Sequence, residues 1–407
     1  MPGGLDVLRA LHRDAKILVF TRALRGFGAA ILNVSFPIYL SKLGASPVGI
    51  GLTFTGISLF SALRSLLEGV VADRFGRKPI LLYTAGLMIA GGSIFALSRN
   101  VAALMVAAVV FSVGGQLVYA PAEQAMLTEK VSSEMRTTAF SVNAFLGTIA
   151  AVFGSLAAGL PELLQGAGVQ EIASYRPVFV IFAAAGAVSL GLFAFVEETM
   201  DRGGRTEEIE EVDEAGRDER ALLMRWSGVV AVDIVGGSFI TNFLSYWFYI
   251  RFGAGPGKIG AVFGASQLLG ALSYILGLRM ARRVGTIRAT VLSRVPVVAV
   301  NALTPLMPSF AAAALLRVFM SLFSSIDVPL RQSYLMGVMR SRRRASAAGV
   351  VTVVSRATSA GAPSVTGYLF EYVSTALPFF VASSFQLASA GLMYLLFKDI
   401  KPPEEDN

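Results

Sequence analysis

Long apolar stretches alternate with short polar turns along nearly the whole chain, far too long for strands and longer than the helices of a soluble core. A bilayer core of about 30 Å takes ~20 helical residues to cross. Twelve stretches reach that length: 17–41, 46–72, 79–98, 101–128, 139–163, 177–196, 223–250, 258–281, 287–306, 309–338, 345–370 and 377–397. The pattern predicts an all-α integral membrane protein with twelve transmembrane helices. One polar segment, 197–222, interrupts it and begins EETMDRGGRTEEIEEVDEAGRDER. It separates six spans from six and reads as a cytoplasmic linker. The expected organisation is a six-helix bundle over 1–196, the linker at 197–222, a second six-helix bundle over 223–397 and a cytoplasmic tail at 398–407.

The two halves repeat one another. Adding 208 to Gly69, Pro121, Gln124, Arg136 and Gly159 gives Gly277, Pro329, Gln332, Arg344 and Gly367. Near Gly76 and Gly285 the offset becomes 209. A nearly constant offset across four helices points to a duplicated unit, hence two pseudo-symmetric bundles. Alternate turns are basic: Arg74, Arg77 and Lys78; Lys130 and Arg136; Arg282, Arg283 and Arg288; Arg340, Arg342, Arg343 and Arg344. Basic turns stay on the cytoplasmic side, so both termini are expected there, in a multi-pass protein of the cell membrane.

Composition agrees. The chain is 54% hydrophobic and 15% charged, with mean hydropathy +0.64, whereas a soluble domain carries about 25% charged residues. The net charge of +8 follows from the basic turns, so nucleic acid is not an expected partner. There is no cysteine, and the single histidine, His12, precedes the first span. Thiolate and histidine metal sites are therefore excluded, and no cofactor is expected. Residues 1–16 are charged and lack a small-residue cleavage site, which argues against a removable signal peptide. No nucleophile–base constellation stands out, so an enzyme is not expected.

Between the second and third spans the chain reads G-V-V-A-D-R-F-G-R-K, from Gly69 to Lys78. Gly69 lets another helix approach, an acid at Asp73 suits the positive end of a neighbouring helix, and Gly76 permits a tight turn. In glycine spacing, acid–base order and position after the second span, this turn resembles the signature loop of the major facilitator superfamily. The resemblance implies a twelve-helix secondary transporter that moves a small solute by alternating access, expected as a monomer in the bilayer. It also implies a conformational latch formed by Gly69, Asp73, Arg74, Gly76 and Arg77, with Asp73 against the start of the eleventh span near Ala345. The second copy keeps Gly277, Arg282, Arg283 and Gly285 without an acid, so the latch is expected on one side only. The fourth span lacks the arginine that proton-coupled members often carry, although Arg317 takes a comparable place in the tenth. The fifth span holds Gly147, Gly154 and Gly159 without the proline-containing antiporter motif. Protons are the candidate coupling ion.

Ionisable groups at membrane depth are costly and mark function or pairing. The third, sixth and twelfth spans have none, and the ninth has only Arg294 beyond Arg288 at its basic start; these are the family's peripheral helices. Arg25, Arg64, Glu123, Asp233, Arg331 and Arg356 each lie roughly 10–17 Å from the cytoplasmic edge and are the candidate substrate-binding or coupling residues. Arg22 and Glu68 are shallower and are expected to snorkel, though Arg64 and Glu68 are spaced to neutralise each other on one helix face. Arg25 plus 208 is Asp233, and Glu123 plus 208 is Arg331. These opposite charges are expected to meet across the halves, Glu123 with Arg331 as a gate and Arg25 with Asp233 at the central site. Arginines outnumber acids, which favours an anionic or zwitterionic solute. The alternatives are a proton-coupled multidrug exporter using Glu68, Glu123 or Asp233, and a receptor or interaction protein on a transporter scaffold.

Overall fold

The computed structural model describes residues 12–113, 121–131, 133–198, 214–338, 351, 354–355 and 357–398. The described residues form helices and the turns between them, with no strand among them. In the N-terminal half these are α1 (Arg13–Lys42), α2 (Pro47–Phe75), α3 (Lys78–Leu97), α4 (Val101–Phe111), α5 (Pro121–Glu129), α6 (Ser133–Ala157), α7 (Leu160–Gly166), α8 (Glu171–Ser174) and α9 (Arg176–Ala194). The C-terminal half supplies α10 (Glu214–Thr241), α11 (Leu244–Phe252), α12 (Pro256–Val284), α13 (Thr286–Leu303), α14 (Phe310–Ser324), α15 (Asp327–Val338), α16 (Ala362–Tyr372) and α17 (Leu377–Phe397).

Eight helical segments among the described residues are long and apolar enough to cross a membrane. The fourth and tenth spans, read from sequence as continuous, are each divided. Ser112 ends α4 in the left-handed region at φ 52, and the next described helical residues are those of α5, from Pro121. The tenth span breaks after Ser324 and restarts at Asp327, with Pro329 in the first turn of α15. Pro329 therefore lies in the first turn of a helix, where its ring breaks no helical hydrogen bond. Each restarted helix carries an acid in its first turn, Glu123 in α5 and Asp327 in α15, where the N-terminal end of the helix dipole favours negative charge.

Two compact units divide the chain. One comprises Met1–Gly203 with Ser245–Gln267, the other Gly204–Leu244 with Leu268–Asn407. The linker boundary expected from sequence is thus joined by two crossings within the C-terminal half. In the first unit, α1 lies against α6 at backbone distance: a Cβ on Gly154 would come within 2.2 Å of the Phe27 carbonyl oxygen. An aromatic core of Phe36, Tyr39, Phe95 and Phe179 fills the space beside it, with Tyr39 and Phe179 centroids 4.9 Å apart. Segment 245–267 is fastened to this unit by polar contacts. Ser245 Oγ donates to the Asn33 carbonyl at 3.2 Å, and the Gly257 N–H donates to Glu162 Oε1 at 3.2 Å. A Cβ on Gly260 would sit 2.0 Å from the Ser155 carbonyl oxygen, so only glycine fits this approach. In the second unit, Trp226 stacks on Tyr334 at 4.7 Å and meets Phe397 edge-on at 5.1 Å.

Candidate functional site: a charged pair and a charged ring

α1 carries Arg25 on its packed face, 1% exposed, and α5 carries Glu123, 3% exposed. Arg25 Nη2 donates to Glu123 Oε2. Its Nε donates to the Thr21 carbonyl at 3.3 Å, and the guanidinium lies 5.4 Å from the Phe193 ring centroid. Charge-assisted bonding and a cation–π contact together offset the desolvation of both ions. Arg25 Nη1 and Glu123 Oε1 are buried without a hydrogen-bond partner.

The second unit repeats the geometry with the signs exchanged. Arg331 Nη2 on α15 donates to Asp233 Oδ2 on α10 at 2.8 Å. The members of each pair are 98 residues apart, Arg25 from Glu123 and Asp233 from Arg331. The expected contacts across the halves are therefore replaced: Glu123 pairs with Arg25 and Arg331 with Asp233. The reason is proximity, because the helices that carry each pair pack within one unit and a buried ion takes the nearest opposite charge. Here two more residues close a ring. Arg294 Nη2, from α13, donates to Oδ2 of both Asp233 and Asp327, and Arg331 also contacts Asp327 one turn earlier on its own helix. Asp233 and Asp327 each engage both arginines through Oδ2, while their Oδ1 atoms are buried and unpartnered. Arg294 and Asp327 were not among the candidates from sequence. The signal was present in Arg294, a lone charge in an otherwise apolar span.

Arg64 Nε lies 3.2 Å from Glu68 Oε1, four residues on, and Nη1 donates to Ser112 Oγ at 3.2 Å. It thus ties α2 to the left-handed turn that ends α4. Arg22, expected to snorkel, is buried at 7% exposure. Arg317 on α14 donates through Nη1 to Asn301 Oδ1 at 2.6 Å. Arg356 lies outside the described residues.

The signature turn is built around an acid the sequence did not reveal. Gly76 has φ +91 and Gly285, its counterpart, φ +83, both in the region that favours glycine. Glu198, just beyond α9, accepts from the Arg77 N–H at 3.0 Å and the Lys78 N–H at 2.8 Å, closing the N-terminus of α3. A Cβ on Gly76 would lie 2.6 Å from the Glu198 carboxyl carbon, so the glycine makes room for this cap as well as for the turn. Arg77 pairs with Glu129 and Lys78 Nζ donates to the Ala194 carbonyl at 2.7 Å, while Arg74 is exposed. Gly69 and Asp73 fall on α2, but their surroundings, like the expected contact near Ala345, lie outside the described residues.

Comparison with known proteins agrees with this architecture. The chain is 24% identical over 399 residues to the uncharacterized membrane protein YJR124C of Saccharomyces cerevisiae, covering 89% of each. It is 28% identical over 265 residues to the multidrug resistance protein MdtG of Salmonella typhi, covering 61% of this chain and 62% of that protein. The fold matches a crystal structure of the nucleoside transporter NupG with TM-score 0.73 and 14% identity, over 94% of this chain and 99% of that one. The family model for the Major Facilitator Superfamily matches residues 18–307 and 229–407. With a duplicated all-helical body and a membrane-spanning composition, the chain belongs to the Major Facilitator Superfamily.

Proposed function

We propose that this protein is a secondary active transporter that carries a small anionic or zwitterionic solute across the cell membrane by alternating access. One observation supports the substrate class. Glu68, Glu123, Asp233 and Asp327, the described acids within the spans, are each engaged by an arginine, whereas Arg317 has only neutral protein partners among the described residues. The charge left over for a ligand is positive. Both termini on the cytoplasmic side and a monomeric state complete the reading.

The test is uptake into proteoliposomes of a panel of matched anionic, zwitterionic, neutral and cationic solutes, under an imposed proton gradient and without one. Saturable movement of the anionic or zwitterionic members is expected. Movement of cationic members alone would overturn the substrate class. The likeness to MdtG supports a second reading, proton-coupled export of lipophilic cations, in which one acid leaves its arginine to exchange a proton. Efflux of ethidium that collapses in Glu123→Gln and survives in Arg317→Gln would establish that reading instead.

A further inference from the structure

Arg317 differs from the arginines of the charged pair, the ring and the Arg64–Glu68 contact. Arg25, Arg64, Arg294 and Arg331 each meet a carboxylate. Arg317 meets the amide oxygen of Asn301 at 2.6 Å and the sulfur of Met320 at 3.5 Å. It lies on the packed side of α14, one turn from the buried Ala313, Ala314 and Ser321, while Leu315 and Phe319 are 71% and 50% exposed. Seven residues after Phe310, it lies roughly 10 Å below the start of the helix. A guanidinium stays charged under all physiological conditions, and an uncompensated charge at that depth is costly.

The neighbouring groups hold it in place without neutralising it. Asn301 on α13 turns its oxygen to Arg317 and its Nδ2 donates to Gln386 Oε1 on α17 at 2.7 Å. Gln386 thereby fixes the amide with the acceptor facing the arginine. Only the Nη1 corner of the fork is used. The Nε–Nη2 edge, the one that binds carboxylate and phosphate bidentately, has no protein acceptor among the described residues.

We infer that Arg317 is the anchor for a carboxylate or phosphate group of the transported solute, with Asn301 and Gln386 as the residues that position it. The inference rests on the anionic reading above and names its subsite. Its depth within α14 separates a soluble anion from a lipid headgroup, which stays at the membrane surface.

Thermal unfolding of the purified full chain would be followed against succinate and glycerol 3-phosphate, with succinamide and glycerol as neutral matches. At least one charged probe should stabilise the protein and its neutral match should not. Arg317→Gln should weaken that probe's binding roughly ten- to hundred-fold, the scale of a lost charged hydrogen bond. Asn301→Ala should weaken it less. If Arg317→Gln fails to fold, Arg317→Lys carries the test, since lysine keeps the charge and loses the fork. Unchanged affinity in the folded variant overturns the proposal, as does the absence of stabilisation by either charged probe. Stabilisation by phosphatidylglycerol alone would reassign the site to lipid. Anion uptake that persists in Arg317→Gln removes this subsite and leaves the transport reading standing. Binding that needs Arg317 in a protein that moves no solute does the reverse.

Discussion

The pair in the first unit and the ring in the second stand at matching places of one duplicated scaffold, yet each place carries the opposite sign. Arg25 corresponds to Asp233 and Glu123 to Arg331, and both pairs join the same two helices of their unit. Duplication has therefore kept where two ions meet and not which one is the cation. The units differ in redundancy too. Arg25 and Glu123 have no other charged partner among the described residues, whereas Asp233 and Asp327 share two arginines. A pair fails completely when one member is lost. A ring keeps partial neutralisation.

The largest effect that separates them is expected from alanine substitutions. Arg25→Ala leaves Glu123 buried and unpaired, a loss of about 3–5 kcal/mol. Arg294→Ala should cost clearly less, because Arg331 still touches both aspartates. Unfolding midpoints of the detergent-purified variants compare the two, and an equal loss would show that the ring does not share its charge.

A charge reversal sharpens the same point. If the scaffold is indifferent to polarity, Arg25→Glu with Glu123→Arg should recover most of the stability that either single reversal removes. A double variant no better than the singles would mean that surrounding groups, the Phe193 ring above all, fix the sign in the first unit.

The smallest effect concerns the two glycine turns. Gly76→Ala should cost about 1–2 kcal/mol from the left-handed backbone, plus displacement of Glu198. In a Glu198→Ala background the added cost should shrink toward the backbone part, a coupling that a double-mutant cycle measures. Additive losses would separate the turn from its cap.

The sequence was informative where physics is local or periodic. Span length, the 208-residue repeat and the Gly76 turn all followed from composition and spacing. The end of α4 within the fourth span did not, because the apolar run from Val101 continues past Ser112 and hides the left-handed residue there. Nor did the ion pairs. Depth placed Arg25, Glu123, Asp233 and Arg331 in one layer, but partner choice depends on which helices touch: symmetry pointed to partners in the other half, and the described pairs form within each unit. Glu198 was hidden differently: it lies 120 residues beyond the N–H group of Lys78 that it caps, in a segment read only as linker.

The unit boundaries have a mechanical consequence. One of them falls between Gln267 and Leu268, inside α12, which runs unbroken from Pro256 to Val284. This helix packs in both units: near its start the Gly257 N–H donates to Glu162 and Gly260 lies against the Ser155 carbonyl, and near its far end a Cβ on Gly277 would lie 3.2 Å from the Ile326 side chain. Gly264 and Gly270 bracket the crossing point, and each weakens a helix by about 1 kcal/mol relative to alanine. Both glycines fall within about two turns of the crossing, so alanine at either position is expected to stiffen this helix without touching any charged residue.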